Sequence, residues 1–115
     1  MNIAEIPLID VSSFKAVRRT LGPSFGRIFS YLVQEGERAI SEIELGCSLC
    51  NAPRMVLPAH RIKGEALHLG ALRLAHVAAE IEFGARTSVE MKVPPTDLIQ
   101  PVSALKPLFL SLIHI

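Results

Sequence analysis

Apolar residues recur every three or four positions along most of this chain, a spacing that places them on one face of an α-helix. Signals for β-structure are weak, because alternating β-branched runs are few and no Asn-Gly hairpin dipeptide occurs. The clearest helical pattern spans about 23–45 and carries Phe25, Ile28, Phe29, Leu32, Val33, Ile40 and Ile43. The chain is therefore predicted to be all-α.

Capping residues divide the chain into helices joined by short connections. Predicted helices cover about 11–20, 23–45, 52–69, 71–86 and 96–112. Asp10 or Ser12 can cap the first helix and Asn51 the third, while Gly70 suits a left-handed cap at the end of the third. Short connections favour antiparallel neighbours, so residues 1–115 are predicted to form a single domain, an antiparallel four-helix bundle with a short extra N-terminal helix.

Three prolines fall inside predicted helices. Proline within a helix removes a backbone donor and costs about 3 kcal/mol or more. Pro58 is expected either to kink the third helix or to widen it locally. Pro101 and Pro107 predict that the last helix starts late, kinks or breaks.

Composition argues against nucleic-acid and membrane partners. The net charge is only +1 and Trp is absent, so neither a basic stripe nor a base-stacking platform is expected. The most apolar segment, residues 105–115, is far shorter than the roughly 20 residues of a membrane helix. The N-terminus lacks the pattern of a secretory signal, so a cytoplasmic protein is expected.

Other chemical sites are not indicated. Cys47 and Cys50 form a C-x-x-C pair, but no second pair follows at zinc-finger spacing, and we interpret them as reduced thiols. His68, His76 and His114 show no metal-ligand spacing, so no metal site is predicted. No phosphate-binding glycine loop of a nucleotide site occurs either.

His60 is predicted to face water from the third helix. At about 100° per residue, the apolar stripe lies about 180–260° away from His60. This stripe comprises Met55, Ala59, Ile62, Ala66 and Leu69. Because the stripe must pack on the core, the imidazole should point outward, together with Lys63 and Gly64.

The neighbours of His60 favour phosphoryl transfer. Helical side chains lean toward the N-terminus, so Lys63 should bring its ammonium toward the imidazole. Gly64, one turn after His60, leaves the ring uncovered although glycine costs a helix about 1 kcal/mol. A neutral imidazole can accept a phosphoryl group as a nucleophile, and the ammonium would offset the added charge. A surface histidine without a role is the alternative.

Apolar residues near His60 suggest a docking surface for a protein. Val56, Leu57 and Leu67 are predicted on the outward face, with Arg61 beside them. Such an exposed patch is typical of a protein interface. The simpler interpretation is that these are scattered apolar residues on the surface, without a role in binding.

The region around His60 resembles the signature of histidine-containing phosphotransfer (HPt) domains. The matching positions are Ala59, His60, Ile62, Lys63, Gly64, Leu69, Gly70, Ala71, Leu74, Ala78, Ile81 and Glu82. The resemblance covers roughly residues 8–90.

The resemblance implies a four-helix bundle in which His60 is phosphorylated at Nε2. The donor and acceptor would be receiver-domain aspartates of a hybrid histidine kinase and of a response regulator. Lys63 would stabilise the phosphoryl charge and Gly64 would keep access open. The family needs no cofactor and has no kinase activity of its own. A second hypothesis is a non-catalytic HPt-like module that binds a receiver or another partner without carrying phosphate; Pro58 and the unusual last helix favour it.

Overall fold

A computed structural model describes residues 5–113 of the chain, which contain α-helices and no β-strand. The helices are α1 (Val11–Leu21), α2 (Phe25–Ser48), α3 (Pro53–Leu69), α4 (Leu72–Met91) and α5 (Ile99–Ile113). The four longer ones form an antiparallel bundle, and α1 packs as a short extra helix against α3. The all-α prediction and its bundle architecture are confirmed. No helix within residues 5–113 is both long and apolar enough to cross a membrane.

The core lies between the inner faces of the four bundle helices. Its most enclosed large side chains include Ile43, Met55, Ile81 and Leu105, one from each helix. Burying each such side chain contributes about 1.5–3 kcal/mol. The most extensive packing is between α3 and α4, which fixes their relative positions along the surface that carries His60.

Predicted caps account for two of the helix ends. The carboxylate of Asp10 accepts hydrogen bonds from the amides of Ser12 and Ser13 and so caps α1. Gly70, at φ 73°, ends α3 in the left-handed conformation. The amide of Asp10 also donates to the carbonyl of Gly70, which joins these two ends. At the start of α3, Asn51 accepts only a long side-chain bond, 3.4 Å from the amide nitrogen of Arg54.

The later helices depart from the predicted bounds. The predicted end of α4 near residue 86 is wrong, because the buried face continues through Ala85 and Ser88 to the end at Met91. The late start of α5 is confirmed, and Pro101 lies in its first turn, where a missing donor costs little. Helix α5 continues through Pro107, so the expected break is not seen. Helix α3 is likewise continuous through the buried Pro58.

Candidate functional site

The imidazole of His60 stands on the surface near the middle of α3. Its side chain is 57% exposed, as the helical geometry predicts, while Ala59 and Ile62 beside it are buried. A Cβ added at Gly64 would meet no atom within 4 Å. The glycine therefore leaves open space one turn beyond the ring.

A single carboxylate, that of Glu82 on α4, binds three basic side chains. His60 Nδ1 lies 2.9 Å from Glu82 Oε2. Arg86 donates to the same oxygen from Nε at 3.1 Å and from Nη2 at 2.9 Å. Lys63 Nζ lies 2.8 Å from Oε1, but no well-directed hydrogen bond reaches that oxygen, so this contact is an ion pair. We call these four residues the Glu82 cluster.

Glu82 is charged at neutral pH although its side chain is only 8% exposed. Burial alone raises the pKa of its carboxyl group. The contacts with Lys63, Arg86 and His60 lower it by more, and the pKa of Glu82 is about 2. When the imidazole is neutral, the cluster contains two cations, Lys63 and Arg86, and one anion, Glu82. Its net charge is therefore positive.

The ionised carboxylate determines which nitrogen of a neutral His60 carries the proton. A carboxylate can only accept hydrogen bonds, so Nδ1 must be the donor in this contact. The lone pair is then on Nε2, for which residues 5–113 provide no hydrogen-bond partner. The cluster therefore presents an accessible nucleophilic nitrogen beside two cations.

Sequence reasoning did not identify Glu82 and Arg86 as parts of this site. Glu82 matched a family position, but no role followed from it. A signal was present, because Glu82 lies four residues after Ala78 on the buried face of α4, where a charged side chain requires a partner. Lys63 was expected to bring its ammonium toward the imidazole. In the structure the two groups are joined through Glu82, because Lys63 contacts Oε1 and His60 contacts Oε2.

The residues predicted to form a docking surface divide into two groups. Leu57, Arg61 and Leu67 are exposed on the His60 side of α3. Val56 is less accessible than these three, because it is partly buried against the core. Phe83 on α4 is apolar but 75% exposed, because it lies about 100° around the helix from Glu82, away from the core.

The other histidines lie apart from the Glu82 cluster. His68 is exposed near the end of α3, and His76 lies 3.9 Å from Glu80 on α4. His114 is outside the described residues. Within residues 5–113, no three His, Cys, Asp or Glu side chains are grouped as metal ligands would be.

The fold is similar to that of a solved structure, although comparisons of the sequence alone found no match. No protein-family model matches the chain, and no curated protein matches it. Among solved structures, histidine-containing phosphotransfer protein B from Pseudomonas aeruginosa PAO1 is similar, with a TM-score of 0.79 and 17% sequence identity. The match covers 90% of this chain and 85% of the other. The chain therefore has the fold of that phosphotransfer protein.

Proposed function

We propose that this chain is a phosphocarrier of a multistep His–Asp relay, with His60 as the phosphorylated residue. Receiver domains of a hybrid histidine kinase and of a response regulator are its partners, and the relay operates in the cytoplasm. The observation that carries the proposal is an imidazole that is 57% exposed and whose Nδ1 is held by Glu82, so that Nε2 has no hydrogen-bond partner among residues 5–113. The shared fold with a phosphotransfer protein supports it.

The geometry of the cluster supports phosphoryl transfer to His60. The lone pair on Nε2 attacks the phosphorus of an aspartyl phosphate, the bond from phosphorus to the aspartate oxygen breaks, and the aspartate leaves as a carboxylate. Lys63 and Arg86 offset the charge of the bound phosphoryl group. Transfer to a second receiver aspartate reverses these bond changes.

Glu82 acts as a positioning residue for His60. Its hydrogen bond orients the ring and keeps the proton of the neutral imidazole on Nδ1, as a carboxylate does for histidine in hydrolase triads. Glu82→Ala removes this acceptor, so we expect the proton to populate Nε2 as well and transfer to slow. Nitrogen-15 NMR of the imidazole measures the tautomers; equal populations in the two proteins would refute this role.

Transfer of radioactive phosphoryl from a labelled receiver domain tests the proposed function. We expect label on the chain that is stable to base and labile to acid, as phosphohistidine is. His60→Gln should remain unlabelled with an unchanged circular dichroism spectrum, and His68→Gln is the control on the same helix. Labelling of His60→Gln would overturn the assignment. Receiver binding without label would identify a non-catalytic interaction module.

A further inference from the structure

Cys47 and Cys50 lie together in the turn that ends α2. The amide of Cys50 donates to the carbonyl of Cys47 at 3.1 Å, and the amide of Asn51 donates to the carbonyl of Gly46 at 2.8 Å. This pair of bonds is a Schellman motif, in which Cys50 occupies the left-handed position at φ 54°. The helix cap thus gives the two cysteines a defined relative position.

The backbone of this turn holds the Cα atoms of the two cysteines within a distance that a disulfide can span. In a turn closed between residues i and i+3, the outer Cα atoms lie within about 7 Å of each other. Disulfides join Cα atoms that are usually about 4.4–6.8 Å apart. In this fold, the turn therefore holds the Cα atoms of the C-x-x-C pair at a separation compatible with a disulfide.

The two thiols differ in their accessibility. Cys50 is exposed, whereas Cys47 is half-buried and packs against the core. Burial, and to a lesser degree the neighbouring Cys50, raises the pKa of the Cys47 thiol. An oxidant in solution therefore meets Cys50 first, and Cys47 is the second thiol.

We propose that Cys47 and Cys50 form a reversible intramolecular disulfide with low-molecular-weight disulfides such as oxidised glutathione. The Cys50 thiolate attacks one sulfur of the oxidant and expels one glutathione thiolate, which gives a mixed disulfide. The Cys47 thiolate then attacks the sulfur of Cys50 and expels the second glutathione. The protein loses two protons and two electrons, and one oxidised glutathione becomes two reduced ones.

This modification site is independent of the phosphotransfer proposed above. The pair lies at the turn between α2 and α3, and neither cysteine is among the hydrogen-bond or ion-pair partners of Glu82. Failure of the disulfide to form would thus leave the assignment of His60 untouched.

Mass spectrometry of the full-length protein, equilibrated in buffers of increasing oxidised glutathione and then alkylated, tests the proposal. We expect a product lighter by two hydrogen masses, with both cysteines protected from alkylation in the tryptic peptide 39–54. Excess reduced glutathione should return both thiols. A wild-type protein that keeps one or two bound glutathiones, forms a disulfide-linked dimer or does not react would overturn the proposal.

Single variants test the assigned order of the two thiols. Cys47→Ser should stop at one glutathione on Cys50, whereas Cys50→Ser should react about tenfold more slowly, because its remaining thiol is half-buried. Equal rates would overturn the order. Circular dichroism checks that each variant is folded, and Cys47→Ala replaces Cys47→Ser if the serine is not tolerated.

Discussion

Replacing Glu82 by Gln should make the stability of the protein less sensitive to acid. The pKa of Glu82 is about 2 in the folded chain, against an ordinary value of 4.5. At about 1.36 kcal/mol for each pKa unit, this difference corresponds to about 3 kcal/mol of stability. Because Arg86 and His60 are more than half exposed, solvent screening reduces the expected contribution to about 2 kcal/mol.

The sign of the effect follows from the lowered pKa. A group whose pKa is lower in the folded state stabilises it above the unfolded value, near 4.5, and this stabilisation is lost as the pH falls towards 2. The wild type should therefore exceed Glu82→Gln in unfolding free energy by about 2 kcal/mol at pH 6 and by almost nothing near pH 2.

Urea unfolding followed by circular dichroism at several pH values measures this difference. Glu90→Gln is the matched control, because Glu90 is an exposed glutamate on the same helix. Carboxyl groups other than Glu82 are common to the wild type and Glu82→Gln, so their titration largely cancels in the comparison. A difference that stays constant between pH 6 and pH 2 would refute the reasoning.

Substitutions at three further positions test the site and the packing around it. Lys63→Ala should slow phosphoryl transfer or shorten the lifetime of phosphohistidine in a transfer assay, because one cation is lost; unchanged kinetics would contradict its role. Gly64→Ala should keep transfer, since its Cβ meets no neighbour, whereas Gly64→Leu should block receiver docking; equal rates for both would exclude steric access as the reason for glycine. Gly84→Ala should destabilise the protein by about 1–3 kcal/mol in urea unfolding, because its Cβ would lie 2.5 Å from the buried Leu98. The control Gly26→Ala, with open space around it, should be neutral or stabilising, and equal effects would refute the packing argument.

Local sequence determined the helices and the outward position of His60. A helix advances by a constant angle per residue, so apolar residues on one side of α3 place His60 on the other without knowledge of any neighbour. The caps at Asp10 and Gly70 are equally local, because each depends on a side chain or a conformation within a few residues.

The partners of His60 were decided by tertiary structure. Glu82 is 22 residues away in the chain, and only the packing of α3 against α4 brings its carboxylate to the imidazole. Val56 is partly buried and Phe83 is exposed, although both are apolar residues at helical spacing. Periodicity shows that a helix has a buried side, but the neighbour that covers each edge of that side depends on how the helices pack.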